Sequence, residues 1–133
     1  MAKVKLITPD QLPWSRPMED QRVSDDQRGK LKQGERSTQF RMREAGDADT
    51  LQLVEIRYEP NSEIQLHSHD ADELIYILEG SMQLGNRTVG PGTSLFIAGG
   101  TFYGFSAGPD GLQILNFRPR ADPSFNLPPG NKG

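Results

Sequence analysis

The chain has 133 residues, 34% hydrophobic and 25% charged, with a net charge of −3 and no cysteine. This length suits one domain around a single core. The mixed charges exclude the basic surface of a nucleic-acid-binding protein, and the lack of cysteine excludes disulfides and thiolate metal sites. No segment approaches the roughly 18 to 20 apolar residues of a membrane helix and no signal sequence is recognisable, so we expect a soluble cytoplasmic protein without a membrane partner.

The first third of the chain is polar and interrupted by prolines. Residues 1–7 contain a possible edge strand, which the prolines that follow would end. Trp14 is the one large apolar side chain in this part, and we expect it to attach the segment to the domain. Residues 19–36 have no apolar periodicity, which predicts a loop, a short surface helix or a partly mobile segment, and leaves open whether they form a lid. Residues 1–37 are therefore interpreted as a loosely structured N-terminal arm.

From residue 38 the sequence changes to short stretches of alternating apolar and polar residues, typical of β-strands. Predicted strands, separated by Gly, Pro and Asn turns, lie at 51–59, 63–69, 73–80, 81–84 and 87–89 and in the segments TSLFIA, TFYGF and LQILNFR. This spacing predicts an all-β antiparallel sandwich or barrel over residues 38–120. Residues 121–133 form a proline-rich tail that we expect to lie along the surface or fray. ELIYIL and SLFIA are apolar on both faces, which favours a homodimer.

The two histidines of the chain, His67 and His69, fall at the end of one predicted strand. Their spacing puts both rings on one face of that strand, because strand side chains alternate sides. Glu73 opens the next strand after a tight turn, so a hairpin would bring its carboxylate opposite the histidines. Two imidazoles and a carboxylate are a ligand set for one divalent transition metal ion: Fe, Mn, Zn, Co or Ni. A pair of polar surface histidines is the alternative reading of the same residues.

Residues 61–80, NSEIQLHSHDADELIYILEG, resemble the first conserved motif of the cupins. His67, His69, Glu73 and Gly80 match it in register, while Asn61 stands where a glycine is usual. The resemblance implies a single-domain cupin, an antiparallel double-sheeted jelly-roll β-barrel, with the metal in its open mouth. It names no reaction, because cupins include dioxygenases, lyases, isomerases and non-catalytic binding proteins.

Residues 92–107, GTSLFIAGGTFYGFSA, resemble the second cupin motif, with Gly92 and Gly100 in place. Ala98 replaces the customary proline, and Tyr103 occupies the position of the fourth metal ligand, which is normally histidine. Three roles are open for Tyr103: a weak ligand or proton donor beside the metal, a residue of the pocket wall, or the mark of a site that has lost its metal.

Strand alternation also predicts the pocket. Gln65 shares a face with the histidines, and Ile75 and Ile77 share one with Glu73, so together with Tyr103 they predict a largely apolar floor for a small organic substrate. Arg57, Gln113 and Arg118 are candidates for contacts with an anionic group or for structural roles.

The leading functional hypothesis is a small metal-dependent enzyme in which Glu73 and Tyr103 take part in catalysis. A two-histidine, one-carboxylate site favours dioxygenase chemistry, and a redox-neutral lyase or isomerase fits the same residues. The alternative is a non-catalytic cupin barrel that binds or senses a small-molecule ligand.

Overall fold

The computed structural model describes residues 4–20 and 23–130. Within them, a 3-10 turn (Pro9–Gln11) and two short helices, α1 (Asp25–Lys30) and α2 (Gln33–Arg36), precede the strands. The strands are β1 (Gln39–Glu44), β2 (Gln52–Tyr58), β3 (Glu63–His67), β4 (Glu73–Leu84), β5 (Arg87–Val89), β6 (Ser94–Ile97) and β7 (Tyr103–Arg118). The expected all-β class is confirmed. None of the described helices is long and apolar enough to cross a lipid bilayer.

The strands pair antiparallel and form two facing layers. One layer runs β1-β2-β7-β4-β6, through the C-terminal half of β7 and the N-terminal half of β4. The other runs β3-β7-β4-β5, through the opposite halves of the same two strands. Because β4 and β7 pass from one layer into the other, they join the layers into a jelly-roll barrel with an interior cavity.

The bend in β4 depends on Gly80. Its φ of 78° lies in the left-handed region, and the pairing of β4 with β7 is irregular on both sides of it. A Cβ atom at this position would also overlap the backbone carbonyl group of Gly111 on β7. Glycine is therefore required here for two independent reasons, which explains the glycine at the end of the first sequence motif.

Strand alternation separates the core from the outer surface. In β4 the side chains of Glu73, Ile75 and Ile77 are buried, whereas Leu74 and Tyr76 face outward. The buried hydrophobic cluster consists of Ile64, Ile75, Ile77, Met82, Phe105, Ala107, Leu112 and Ile114. The core thus lies between the layers and supports the closed end of the cavity.

An apolar row crosses the outer face of the first layer. Phe96 of β6 is the neighbour of Leu74 on β4, which is in turn the neighbour of Phe117 on β7. All three side chains are exposed, Phe96 to 66%. The homodimer expected from the sequence stays a prediction, and this row is the surface on which it would be tested.

The N-terminal arm packs on the outer face of β1 and β2. The ring of Trp14 lies between the guanidinium groups of Arg41 and Arg57, 4.3 and 4.0 Å from the ring centroid. Cation–π contacts of this kind stabilise packing by roughly 0.5 to 2 kcal/mol each. The tryptophan therefore attaches the arm to the barrel, as the sequence predicted.

The expected edge strand at the N-terminus is corrected by the structure. Residues 4–7 form no strand, and the side chains of Val4 and Leu6 are each 84% exposed. Residues 1–3 lie outside the described residues. Two of the three apolar side chains of this segment face solvent and only Ile7 is partly buried, so little hydrophobic burial favours its pairing with the sheet.

Candidate functional site

The two histidines lie side by side at one end of the barrel. His67 ends β3 and His69 follows it, and their ring centroids are 4.9 Å apart. Nδ1 of His67 lies 2.7 Å from the backbone oxygen of Gln65, and Nδ1 of His69 lies 2.5 Å from that of Ser124. A carbonyl oxygen can only accept a hydrogen bond, so each Nδ1 carries the ring proton. Each Nε2 therefore keeps a free lone pair.

Glu73 is the acceptor of three hydrogen bonds, all from side chains of β7. Its Oε1 accepts from the hydroxyl group of Tyr103 at 2.9 Å. Its Oε2 accepts from Nδ2 of Asn116 at 2.8 Å and from Nη2 of Arg118 at 3.2 Å. The same oxygen lies 3.9 Å from Nε2 of His69. The carboxylate thus joins both ends of β7 to the histidine pair.

Burial and charge set the protonation of this cluster. Burial lowers the pKa of both His67 and His69, and for His69 the charge of Arg118 adds to the effect, so both rings are neutral at neutral pH. Burial alone would raise the pKa of Glu73, but nearby charges and hydrogen bonds hold it below its ordinary value. Burial raises the pKa of Tyr103 far above the ordinary value, so its hydroxyl group keeps its proton.

The two imidazoles fit a divalent transition metal ion. They are neutral, and the hydrogen bonds at Nδ1 orient them as in metal-binding histidines. Glu73 carries the negative charge of a two-histidine, one-carboxylate set, but both its oxygens already accept hydrogen bonds. Among the residues that the structure describes, no three His, Cys, Asp or Glu side chains are arranged as a group that could hold a metal. Oε1 accepts a single hydrogen bond and keeps a lone pair, so Glu73 can complete the ligand set without losing its present donors.

A cavity of about 460 Å³ opens beside these residues. His67, His69, Glu73 and Tyr103 line it, as do apolar side chains of β1, β2, β3 and β7: Phe40, Met42, Val54, Ile56, Ile64 and Phe105. This volume lies in the range of small-molecule sites, and the walls suit a substrate that is mainly apolar.

Three of the predicted pocket residues lie elsewhere. The pairing of β3 with β7 is irregular between Ile64 and His67, so both of these face inward and Gln65 does not. Instead, the Gln65 amide group donates to the Lys30 carbonyl group and to Glu35, on the arm. Ile75 and Ile77 lie in the core behind the cavity and do not line it. The prediction that Gln65 lines the pocket is therefore wrong, because side chains do not alternate regularly along β3.

The structure separates the three candidates for anionic contacts. Arg57 stacks on Trp14, and Gln113 donates to Glu55 on the outer face, so neither lines the cavity. Arg118 does line it and is paired with Glu73 at 3.2 Å. Arg57 and Gln113 thus have structural roles, and of the three candidates only Arg118 belongs to the site.

The C-terminal tail contributes to the site, which the sequence analysis did not foresee. Phe125 is 8% exposed, and its ring is stacked on that of His67 with the centroids 4.8 Å apart and the planes at 11°. Asn126 pairs with Ser68 between the two histidines. The available signal was Phe125 itself, the one aromatic side chain of a polar, proline-rich segment. The tail is docked along the barrel mouth in its described part.

The N-terminal arm covers the other side of the mouth. Val23, Gln27, Leu31 and Glu35 line the cavity, although the sequence of this segment shows no periodic apolar face. Nζ of Lys30, at the end of α1, donates to the Phe125 carbonyl group. Arm and tail therefore meet across the opening, and residues 23–36, the described part of the candidate lid after the gap, lie where a lid would act.

No family model and no curated protein matches the chain. The polyketide cyclase RemF from Streptomyces resistomycificus is a similar solved structure at 32% identity, covering 71% of this chain and 73% of that chain, with a TM-score of 0.60. An RmlC-like cupin from Ralstonia eutropha JMP134 is 9% identical, with 89% and 69% covered and a TM-score of 0.68. KdgF from Halomonas sp. is 19% identical, with 89% and 96% covered and a TM-score of 0.63. The last two show a shared fold.

Proposed function

This chain belongs to the cupin superfamily, and on that premise we propose that it is a metal-dependent enzyme acting on a small, mainly apolar organic substrate that carries carbonyl groups. One observation supports this above the others. Both histidines of the chain present a free Nε2 lone pair at the wall of a mainly apolar cavity, held there by hydrogen bonds at Nδ1.

In this proposal His67 and His69 hold the ion, with Glu73 as the third ligand. The chemistry that such an ion supplies is Lewis-acid polarisation of a substrate carbonyl oxygen. Neutral imidazoles favour binding because they need not lose a proton first. Glu73 is also ready to bind a metal ion, because its pKa is held below the ordinary value in spite of burial and the carboxylate is ionised at neutral pH.

The remaining polar groups of the site, Tyr103 and Arg118, orient the substrate and stay protonated. Tyr103 donates its only O–H to Glu73 and presents its hydroxyl oxygen as an acceptor, whereas Arg118, held by Glu73, keeps further N–H groups as donors in a fixed position. Apolar walls and the stacked ring of Phe125 exclude water from the histidines. Fixed donors in a dry cavity stabilise charge that develops on a substrate oxygen.

The similarity to RemF favours redox-neutral carbonyl chemistry, of which ring closure of a polyketide is an example. The two-histidine, one-carboxylate set also supports the oxygenase as a second candidate. These reactions differ in one measurable respect: an oxygenase consumes dioxygen, whereas an aldol condensation that closes a ring eliminates one water molecule and consumes no dioxygen. A linear substrate with several β-carbonyl groups, followed by mass spectrometry beside an oxygen electrode, distinguishes them. Ligand retention without either change would favour the non-catalytic binding protein.

Elemental analysis of the untagged protein tests the metal directly. We expect near-stoichiometric Fe, Mn, Zn, Co or Ni in the natural sequence and none in the double variant His67→Ala/His69→Ala. Glu73→Gln should lower the metal content. Glu55→Gln is the matched control, because Glu55 is also buried and paired with two arginines but lies on the outer face. Absence of metal from the natural protein, even after incubation with each ion, would refute the proposal.

A further inference from the structure

The hydrogen bond that orients His69 comes from outside the barrel strands. Its acceptor is the backbone oxygen of Ser124, 55 residues further along the chain. His67, in contrast, is bound to the backbone of Gln65 on its own strand. The hydrogen bond at Nδ1 of His69 thus depends on how the tail is held, whereas that of His67 lies within its own strand.

Asp122 connects both sides of this hydrogen bond. Its Oδ1 accepts from the backbone N–H of Ser124 at 3.0 Å, and its Oδ2 accepts from the backbone N–H of Ala71 at 2.9 Å. Ser124 carries the acceptor for His69, and Ala71 lies two residues after His69 in the chain. The carboxylate therefore links the segment that bears the ring to the segment that bears its acceptor.

Further contacts hold Asp122 in place. Its backbone oxygen accepts from Nη1 of Arg118 at 2.9 Å, and the residue is only 8% exposed. Burial raises the pKa of its carboxyl group, but the hydrogen bonds from Ser124 and Ala71 hold the pKa below its ordinary value, so the group stays an acceptor at neutral pH. Asp122 accepts a hydrogen bond from each segment and is itself held by Arg118 of β7, so it connects the two segments rigidly.

From these contacts we infer that Asp122 is a positioning residue, which fixes the Nδ1–H tautomer of His69 through the Ser124 carbonyl group. The inference rests on the proposed function in that it treats His69 as a metal ligand. Without the carboxylate, Ser124 and Ala71 lose their common partner, and the acceptor is held only by the hydrogen bond from Asp70 to Oγ of Ser124 and by the pairing of Ser68 with Asn126, so we expect it to shift from Nδ1. An imidazole without a fixed partner populates both tautomers, and the Nε2–H form has no lone pair at Nε2 for a metal.

The test is nitrogen-15 NMR of the histidine side chains in the full chain, treated with chelator, for the natural sequence and Asp122→Ala. We expect both rings to show the Nδ1–H form in the natural protein. In Asp122→Ala, His69 should show a mixture of tautomers while His67 is unchanged, which makes His67 an internal control. Zinc titration should then show a dissociation constant about 10- to 100-fold higher, the range for loss of a group that orients a ligand.

Asp47→Ala is the matched control variant. Asp47 accepts the backbone N–H of the residue two positions on at 2.8 Å, as Asp122 does, and its backbone oxygen also contacts the tail at Ala121. It should leave both histidine signals unchanged. An Nδ1–H form of His69 that persists in Asp122→Ala, or an equal response to Asp47→Ala, would overturn the inference.

Two further measurements keep the test decisive. If Asp122→Ala does not fold, Asp122→Asn retains one acceptor and should show a smaller Nε2–H population; no change in it would overturn the inference. If the natural protein binds none of Fe, Mn, Zn, Co and Ni, the proposed function fails, yet the tautomer of His69 in the variants still decides the role of Asp122.

Discussion

Replacing Phe125 with alanine should remove the cover of the histidine pair. Phe125 is 8% exposed and stacked on His67, and phenylalanine-to-alanine changes at buried positions destabilise proteins by about 3 to 5 kcal/mol. Because one side of its ring faces the cavity, we expect the lower end, about 3 kcal/mol. With a urea m-value of about 1.5 kcal/mol per molar, the unfolding midpoint should fall by about 2 M.

The same variant should change the titration of His67. Burial lowers the pKa of this residue, so loss of the ring above it should move the pKa up toward the ordinary value for histidine. Proton NMR resolves this readily, since the chain contains two histidines. Phe102→Ala is the control, because Phe102 is 39% exposed and should cost less than about 1 kcal/mol. Equal midpoints for the two variants, with an unchanged pKa of His67, would refute the docked tail.

Three other variants test separate features of the molecule. Tyr103→His should lower the zinc dissociation constant about tenfold or more by adding an imidazole beside His67, as measured by calorimetric titration; unchanged affinity would mean that position 103 does not face the ion. Burial raises the pKa of Glu55, but hydrogen bonds, chiefly from Arg41 and Gln113, hold it below its ordinary value. The ionised Glu55 carboxylate therefore stabilises the folded state fully above the ordinary pKa of glutamate. This contribution is lost as the pH falls through the lower pKa that Glu55 has in the folded protein. The stability difference between the natural protein and Glu55→Gln, about 2 kcal/mol at pH 7, should shrink between about pH 5 and pH 2 in urea titrations, and a pH-independent difference would contradict the ion pair. Phe96→Glu should convert the expected homodimer into a monomer in light-scattering chromatography; a dimer that persists would exclude this face as the interface.

Local rules account for the parts of the fold that the sequence predicts well. The strands follow from period-two alternation and from Gly, Pro and Asn turns, and the cupin resemblance supplied their arrangement. The proximity of His67 and His69 follows because both belong to one short segment, and Glu73 lies a single turn away. Some predicted strands merge in the structure, since 73–80 and 81–84 are both part of β4.

Long-range contacts account for what the sequence could not predict. Gln65 faces the arm because β3 slips its register against β7, and such an irregularity depends on the partner strand. Phe125 and Asp122 reach the site from a segment without periodicity, and their contacts span more than 50 residues. Propensity and patterning describe neighbours along the chain, so they do not contain this information.

The position of the single tryptophan determines what optical spectroscopy can report. Trp14 contacts two arginines on the outer surface and does not line the cavity, so its fluorescence reports docking of the arm and not direct contact with a ligand. Tyr58 and Tyr103, two of the three tyrosines, line that cavity. Ultraviolet difference absorption of tyrosine is therefore the label-free signal for screening ligands, and a screen based on tryptophan quenching would discard true binders.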